Sequence, residues 1–187
     1  MTTLPREGSA RFAARSQEGD TDKFATAKSV QPSLAQAKGS DEVIQMCRAC
    51  DLRKHATQAV EGEEPAGARL MLVEEQPGDE EDLQGRPFIG PAGKLLSDVL
   101  RSAGLSREEV HITNAVKHFK WEPRGKRRLH KRPNVGEMRA CNGWLQGEID
   151  SIKPMVTVAL GASALTALLE DLRRAMSLVT GQAVTSQ

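Results

Sequence analysis

The chain has 187 residues, 39% of them hydrophobic and 27% charged, which is enough for one globular domain with a single core and too little for two full ones. Its 26 basic and 25 acidic residues leave a net charge of +1, which excludes a globally polycationic or polyanionic protein. No stretch reaches the ~20 apolar residues of a membrane span and no apolar signal core follows the N-terminus, so a cytoplasmic protein with no membrane part is expected.

Residues 1–40 are rich in Ser, Thr, Gln, Gly and Lys without sustained apolar periodicity and read as a disordered leader, so the folded domain is placed at residues 41–187. Val43, Ile44 and Met46 form a short helical pattern that delivers the knuckle Cys47-Arg48-Ala49-Cys50. Three β-rich runs follow, at residues 69–73, 110–116 and 155–160, each bounded by turn signals. Helical patterns separate them, such as residues 94–100, which end near Gly104. Strands alternating with helices predict a parallel α/β sheet, in which ligands bind beyond the carboxyl ends of the strands. Those ends run into residues 74–78, 114–118 and 161–163, so one site can draw on all three.

Charge is unevenly spread along this plan. Residues 117–132 carry eight Lys or Arg against one acid, Glu122, whereas residues 74–82 carry six acids and no base. An anion-binding surface beside a carboxylate-rich pocket is expected. Lys120, Arg124, Lys126, Arg127, Lys131 and Arg132 suit phosphate contacts, and equally a solvated face. Three cysteines, two of them in a Cys-x-x-Cys pair, make a poor disulfide framework and point to metal or cluster binding. Soft thiolates accept zinc or an iron–sulfur cluster, so ligand type leaves both open. Phe88 sits among Gly85, Pro87, Gly90, Pro91 and Gly93, which favour a rigid loop over a packed element; by itself it reads as a stacking ring or a core aromatic. Asn114 at a strand end offers both a donor and an acceptor, or serves a turn. His130 stands in a basic loop, and His55 and His111 read as structural or exposed.

The run Glu75-Gln76-Pro77-Gly78-Asp79-Glu80-Glu81-Asp82-Leu83-Gln84-Gly85-Arg86-Pro87-Phe88-Ile89-Gly90-Pro91-Ala92-Gly93 resembles the first motif of family-4-type uracil-DNA glycosylases. Lys126-Arg127-Arg128-Leu129-His130, an insertion after the second strand, resembles the loop that marks their X-type branch. With Cys47-x-x-Cys50, residues 114–118 and Ala140-Cys141 the resemblance extends over residues 44 to about 170. It implies a three-layer α/β/α fold around a parallel sheet. It also implies a [4Fe–4S] cluster on Cys47, Cys50, His118 and Cys141, and uracil-containing DNA, single-stranded, as partner. Phe88 and Asn114 would bind the flipped uracil, with Gly78, Asp79 and Arg128 lining or fixing the site. Glu75, Gln76 and His130 would be catalytic, His130 bonding covalently to the sugar carbon that uracil leaves and Glu75 taking or holding its proton. Asp79, outside that role, and Asp82 read as solvated loop charges, and Glu74 stands where the family has Gly.

Family members carry a second catalytic motif, His-Pro-Ser, on a final strand, and this sequence has no such tripeptide. The expectation is an incomplete C-terminal end, a sheet lacking its last strand, and weakened catalysis. Two function classes follow: a uracil-excising enzyme that traps itself on DNA, or a catalytically impaired iron–sulfur or zinc protein that binds nucleic acid.

Overall fold

The computed structural model describes residues 40–63, 65 and 67–180; the expected leader and the tail after residue 180 lie outside the described residues. Three parallel strands form the central sheet: β1 (Leu70–Glu74), β2 (Val110–Asn114) and β5 (Val156–Ala159), in the order β2-β1-β5. Leu70 lies opposite Val110 on one side and Val156 on the other, and Glu74 lies opposite Asn114, so the carboxyl ends of the strands finish level.

Alternation along β1 assigns its two faces. Leu72, with Leu70 behind it, packs against Val110 and Ile112 of β2, Phe88, and Leu100 and Leu96 of α3 (Pro91–Ser102). Met71 and Val73 pack on the opposite face against Leu145 and Ile152 of α4 (Val135–Ile152) and Ala164 and Ala167 of α5 (Ala162–Thr180). Helices therefore cover both faces, which gives the α/β/α layering. A third cluster joins Ile44 of α1 (Ser40–Gln45) to Leu52, Val116, Met138, Cys141 and Trp144.

Two segments differ from the sequence expectation. The run 75–93 is not all loop: Asp79–Gln84 forms a helix, α2, whose first free amide, Gly78 N, donates to Glu81 Oε2 at 2.5 Å. The Arg-Arg-Leu-His segment is not an irregular insertion: β4 (Arg127–His130) pairs antiparallel with β3 (Trp121–Arg124), setting His130 opposite Trp121. The outer edge of β5 pairs with no strand among the described residues, and its Val156 and Val158 are exposed.

A polar cluster lies inside the α4 layer. The Lys117 ammonium, fully buried, donates to Thr113 Oγ1 at 2.6 Å and to Glu148 Oε2 at 2.7 Å, and Gly62 N donates to the other Glu148 oxygen at 3.1 Å. A buried charge requires such a partner, because desolvation without one costs several kcal/mol. Lys117 thus does not belong to the basic surface, and His111, also buried, is not exposed; burial holds its imidazole below the ordinary histidine range.

Candidate functional site

The site is assembled by joining the β3–β4 hairpin to the carboxyl end of β1. Gln76, two residues past β1, donates from Nε2 to the carbonyls of Lys120 (3.1 Å) and Lys131 (3.2 Å) and accepts from Lys120 N at 3.0 Å. It therefore ties the two feet of the hairpin together, and its amide is consumed in that task. From β4, Arg128 reaches α2: its guanidinium meets Asp82 Oδ2 at 2.6 Å and Asp79 Oδ1 at 2.5 Å. The same guanidinium lies over the rings of Phe119 and Trp121 at 5.4 and 5.6 Å. Asp82, read from sequence as a solvated loop charge, is wholly buried and also accepts from Thr57 N at 2.9 Å. Burial of the carboxylate is offset by these hydrogen bonds.

Fixed in this way, the hairpin delivers His130 to Glu75, with Nε2 3.6 Å from Glu75 Oε1. The other carboxylate oxygen accepts from Ser163 Oγ and lies 3.5 Å from Arg132 Nε. Sequence reasoning had placed residues 161–163 at a strand end without singling out Ser163. Arg124, Lys126 and Arg127 stand exposed on the hairpin, whereas Lys120 is paired with Glu137 at 2.7 Å.

Beside His130 opens a cavity of about 290 Å³ lined by Glu74, Gln76, Gly78, Asp79, Glu80, Glu81 and the turn at Gly90 to Ala92. Phe88 precedes that turn at φ 54°, a conformation costly for a bulky residue, and is 5% exposed in the Leu72 cluster. Two contacts hold it there. Arg107 donates to the carbonyls of Pro87 (2.6 Å) and Phe88 (3.2 Å), and a Cβ on Gly93 would collide with the Phe88 carbonyl. Asn114 shares the face of Val110 and Ile112 by strand alternation, and so lies on the Phe88 side of the sheet. Its amide is fully buried, and neither Nδ2 nor Oδ1 has a hydrogen-bond partner among the described residues. An unsatisfied donor and acceptor together cost about 2–6 kcal/mol, which a bound polar edge would recover.

The three cysteines meet in one apolar cluster. Cys141 is buried and accepts from Lys117 N at 3.2 Å, while Cys47 accepts from Trp144 Nε1 at 3.3 Å. Burial, reinforced by Cys50 and Cys47, pushes the Cys141 thiol up to about 12. Such a thiol keeps its proton until a cation or cluster takes the thiolate form. Among the described residues no three or more His, Cys, Asp or Glu converge as a single ion requires. The donor chemistry fits a thiolate-bound group, and ligands spread around a multi-atom cluster need not meet at one point. His118, next to Lys117, is buried and uncharged in preference, its pKa lowered by desolvation.

Glu74 carries a measurable consequence. Burial, with Glu81 and Glu75 adding repulsion, raises its carboxyl from 4.5 to about 7. A folded-state pKa above the unfolded one contributes stability fully present below about 4.5 and lost as pH rises through 7. Glu74→Gln is therefore expected to be more stable than the native chain at pH 8.5, by about 1–2 kcal/mol allowing for solvent screening, and to lose that advantage at pH 5. Thermal unfolding of both proteins at the two pH values checks this; an advantage independent of pH contradicts it.

Comparison with known proteins accords with this geometry. Residues 61–186 match the family model described as the uracil DNA glycosylase superfamily. A type-4 uracil-DNA glycosylase of Thermotoga maritima is 39% identical over 143 residues, covering 76% of this chain and 71% of that protein. Those of Archaeoglobus fulgidus and Saccharolobus solfataricus are 42% identical over 121 residues and 38% over 138, covering 65% and 73% of this chain. The matches span only 57% and 60% of those two relatives' lengths. With its three-layer parallel sheet and a site at the strand ends, this chain belongs to the uracil-DNA glycosylase superfamily.

Proposed function

We propose that the protein recognises uracil in DNA, single-stranded by preference, and breaks the bond between base and sugar. The observation that carries this reading is Asn114: a wholly buried amide with donor and acceptor both open, on the same sheet face as Phe88. A flipped base presents a flat face to an aromatic ring and a polar edge to such an amide. Gly78 and Asp79 line the cavity beside His130, next to the Phe88 turn, and the exposed bases of the hairpin offer contacts to phosphate.

Uracil departs with the electron pair of its glycosidic bond, helped by the Asn114 Nδ2–H donor at its edge. The sugar carbon becomes electron-poor. Glu75 Oε1 takes the Nε2 proton from the imidazolium form of His130, leaving the Nδ1 proton in place and the Nε2 pair free. That pair forms the nitrogen–carbon bond to the sugar, and the proton held by Glu75 passes to the uracil anion. Gln76, Asp79 and Arg128 hold His130 in reach.

Cys47, Cys50 and Cys141, with His118 as the fourth ligand, would hold a [4Fe–4S] cluster as a structural centre under α1 and α4. Reduced thiols of this kind suit the cytoplasm. No described helix is long and apolar enough to cross a membrane. Protein prepared anaerobically with iron should contain iron and acid-labile sulfide, and each cysteine replacement should lower both. Full zinc occupancy without sulfide contradicts the cluster.

Incubation with a uracil-containing single strand, followed by denaturing electrophoresis and assay of free uracil, tests the reaction. The native chain should release uracil and give a protein–DNA band that survives denaturation. His130→Ser should abolish the band, and Asn114→Asp, which replaces the donor by a second acceptor, should slow uracil release by about 10²–10³. Absence of both products from cluster-loaded protein, or an undiminished band with His130→Ser, overturns the reading.

A further inference from the structure

One buried hydroxyl has no part in the reaction just described. Ser163, second residue of α5, is 2% exposed and lies on the opposite side of Glu75 from His130. Its Oγ accepts from Arg132 Nε at 3.0 Å and donates to Glu75 Oε2. Arg132 Nε also stands 3.5 Å from the same carboxylate oxygen. The polarity of the chain is therefore fixed in one direction: Arg132 donates to Ser163, and Ser163 donates to Glu75. Glu75 Oε1 is left as the oxygen that faces His130.

A carboxylate on a flexible side chain can rotate either oxygen, or neither, toward the imidazole. Glu75 is partly exposed and follows the end of β1, so nothing in its own element sets that rotation. The bond from Ser163 occupies one oxygen. We propose that Ser163 is a positioning residue, which with Arg132 orients the Glu75 carboxylate so that Oε1 can take the proton of His130. The inference rests on the proposed roles of Glu75 and His130. It also gives α5 a task at the site, since the crossover from β5 brings its first turn over the strand ends.

The Ser163→Ala change removes the hydroxyl and leaves the helix intact, because alanine is the best helix former. A hydrogen bond to a charged group is worth enough to change a rate by about 10- to 100-fold. In single-turnover reactions of the full chain with uracil-containing single strand, Ser163→Ala should lower the rate of adduct formation at saturating DNA by about tenfold or more. The DNA concentration giving half the maximal rate should stay the same. A second readout needs no turnover: the Nε2 resonance of His130, followed by nitrogen-15 NMR of the free protein. Ser163→Ala and Glu75→Gln should each displace it, and the double variant should show no displacement beyond that of Glu75→Gln. An unmoved resonance in Ser163→Ala, or displacements that simply add, overturns the positioning role. If the native chain yields neither uracil nor adduct, the glycosylase reading fails while the resonance still decides the role of Ser163.

Discussion

Arg128 holds two charges and two rings at once, and the placement of the hairpin that carries His130 depends on that contact. Its guanidinium joins Asp79 and Asp82 of α2 on one side and stacks over Phe119 and Trp121 on the other. A two-stranded hairpin is at best marginally stable alone. Here its stem is closed by Gln76 and its middle is fixed to α2 by Arg128, so His130 at the end of β4 has one place to go. The planar guanidinium suits the task because it can meet two carboxylates and two aromatic faces together, which a lysine cannot.

The electrostatics of the site follow the same division. The hairpin's exposed bases face outward, whereas the cavity behind His130 is walled by Glu74, Asp79, Glu80 and Glu81. Asp79 is neutralised by Arg128, and Glu81 serves the amide of Gly78. Glu74 has no such partner among the described residues and holds its proton to about 7. Near neutrality the cavity is thus less negative than its composition suggests, which matters for a site that must approach a phosphate chain. On the far side of the sheet, Lys117 and Glu148 form a buried pair whose lysine looked from sequence like part of the basic surface.

The strands were legible because apolar, β-rich runs bounded by turns report directly on burial, as at residues 70–74 and 110–114. Level strand ends then place Glu75, Asn114 and the start of α5 together by topology alone. What escaped sequence reasoning depends on distant partners. The pairing of Trp121 with His130, the burial of Asp82 against Arg128 and Thr57, and the bonds of Gln76 to the hairpin are tertiary contacts with no local pattern. Glycines and prolines around residues 85–93 masked α2, because loop composition overlaps with a six-residue helix. Ser163 gave no signal beyond its place at a strand end, since a serine in a helix's first turn ordinarily faces solvent.

Whether Arg128 fixes the hairpin to α2 is measured by backbone hydrogen exchange in Arg128→Lys compared with the native chain. Exchange of the Lys120 and Lys131 amides, which bond Gln76 Oε1 and the Lys120 carbonyl, should accelerate by about tenfold or more, as expected on losing 1–2 kcal/mol of local stability. The amides of β1 and β2 should be unaffected. Unchanged exchange at the hairpin, or equal acceleration throughout the sheet, would contradict the claim that this one guanidinium positions His130.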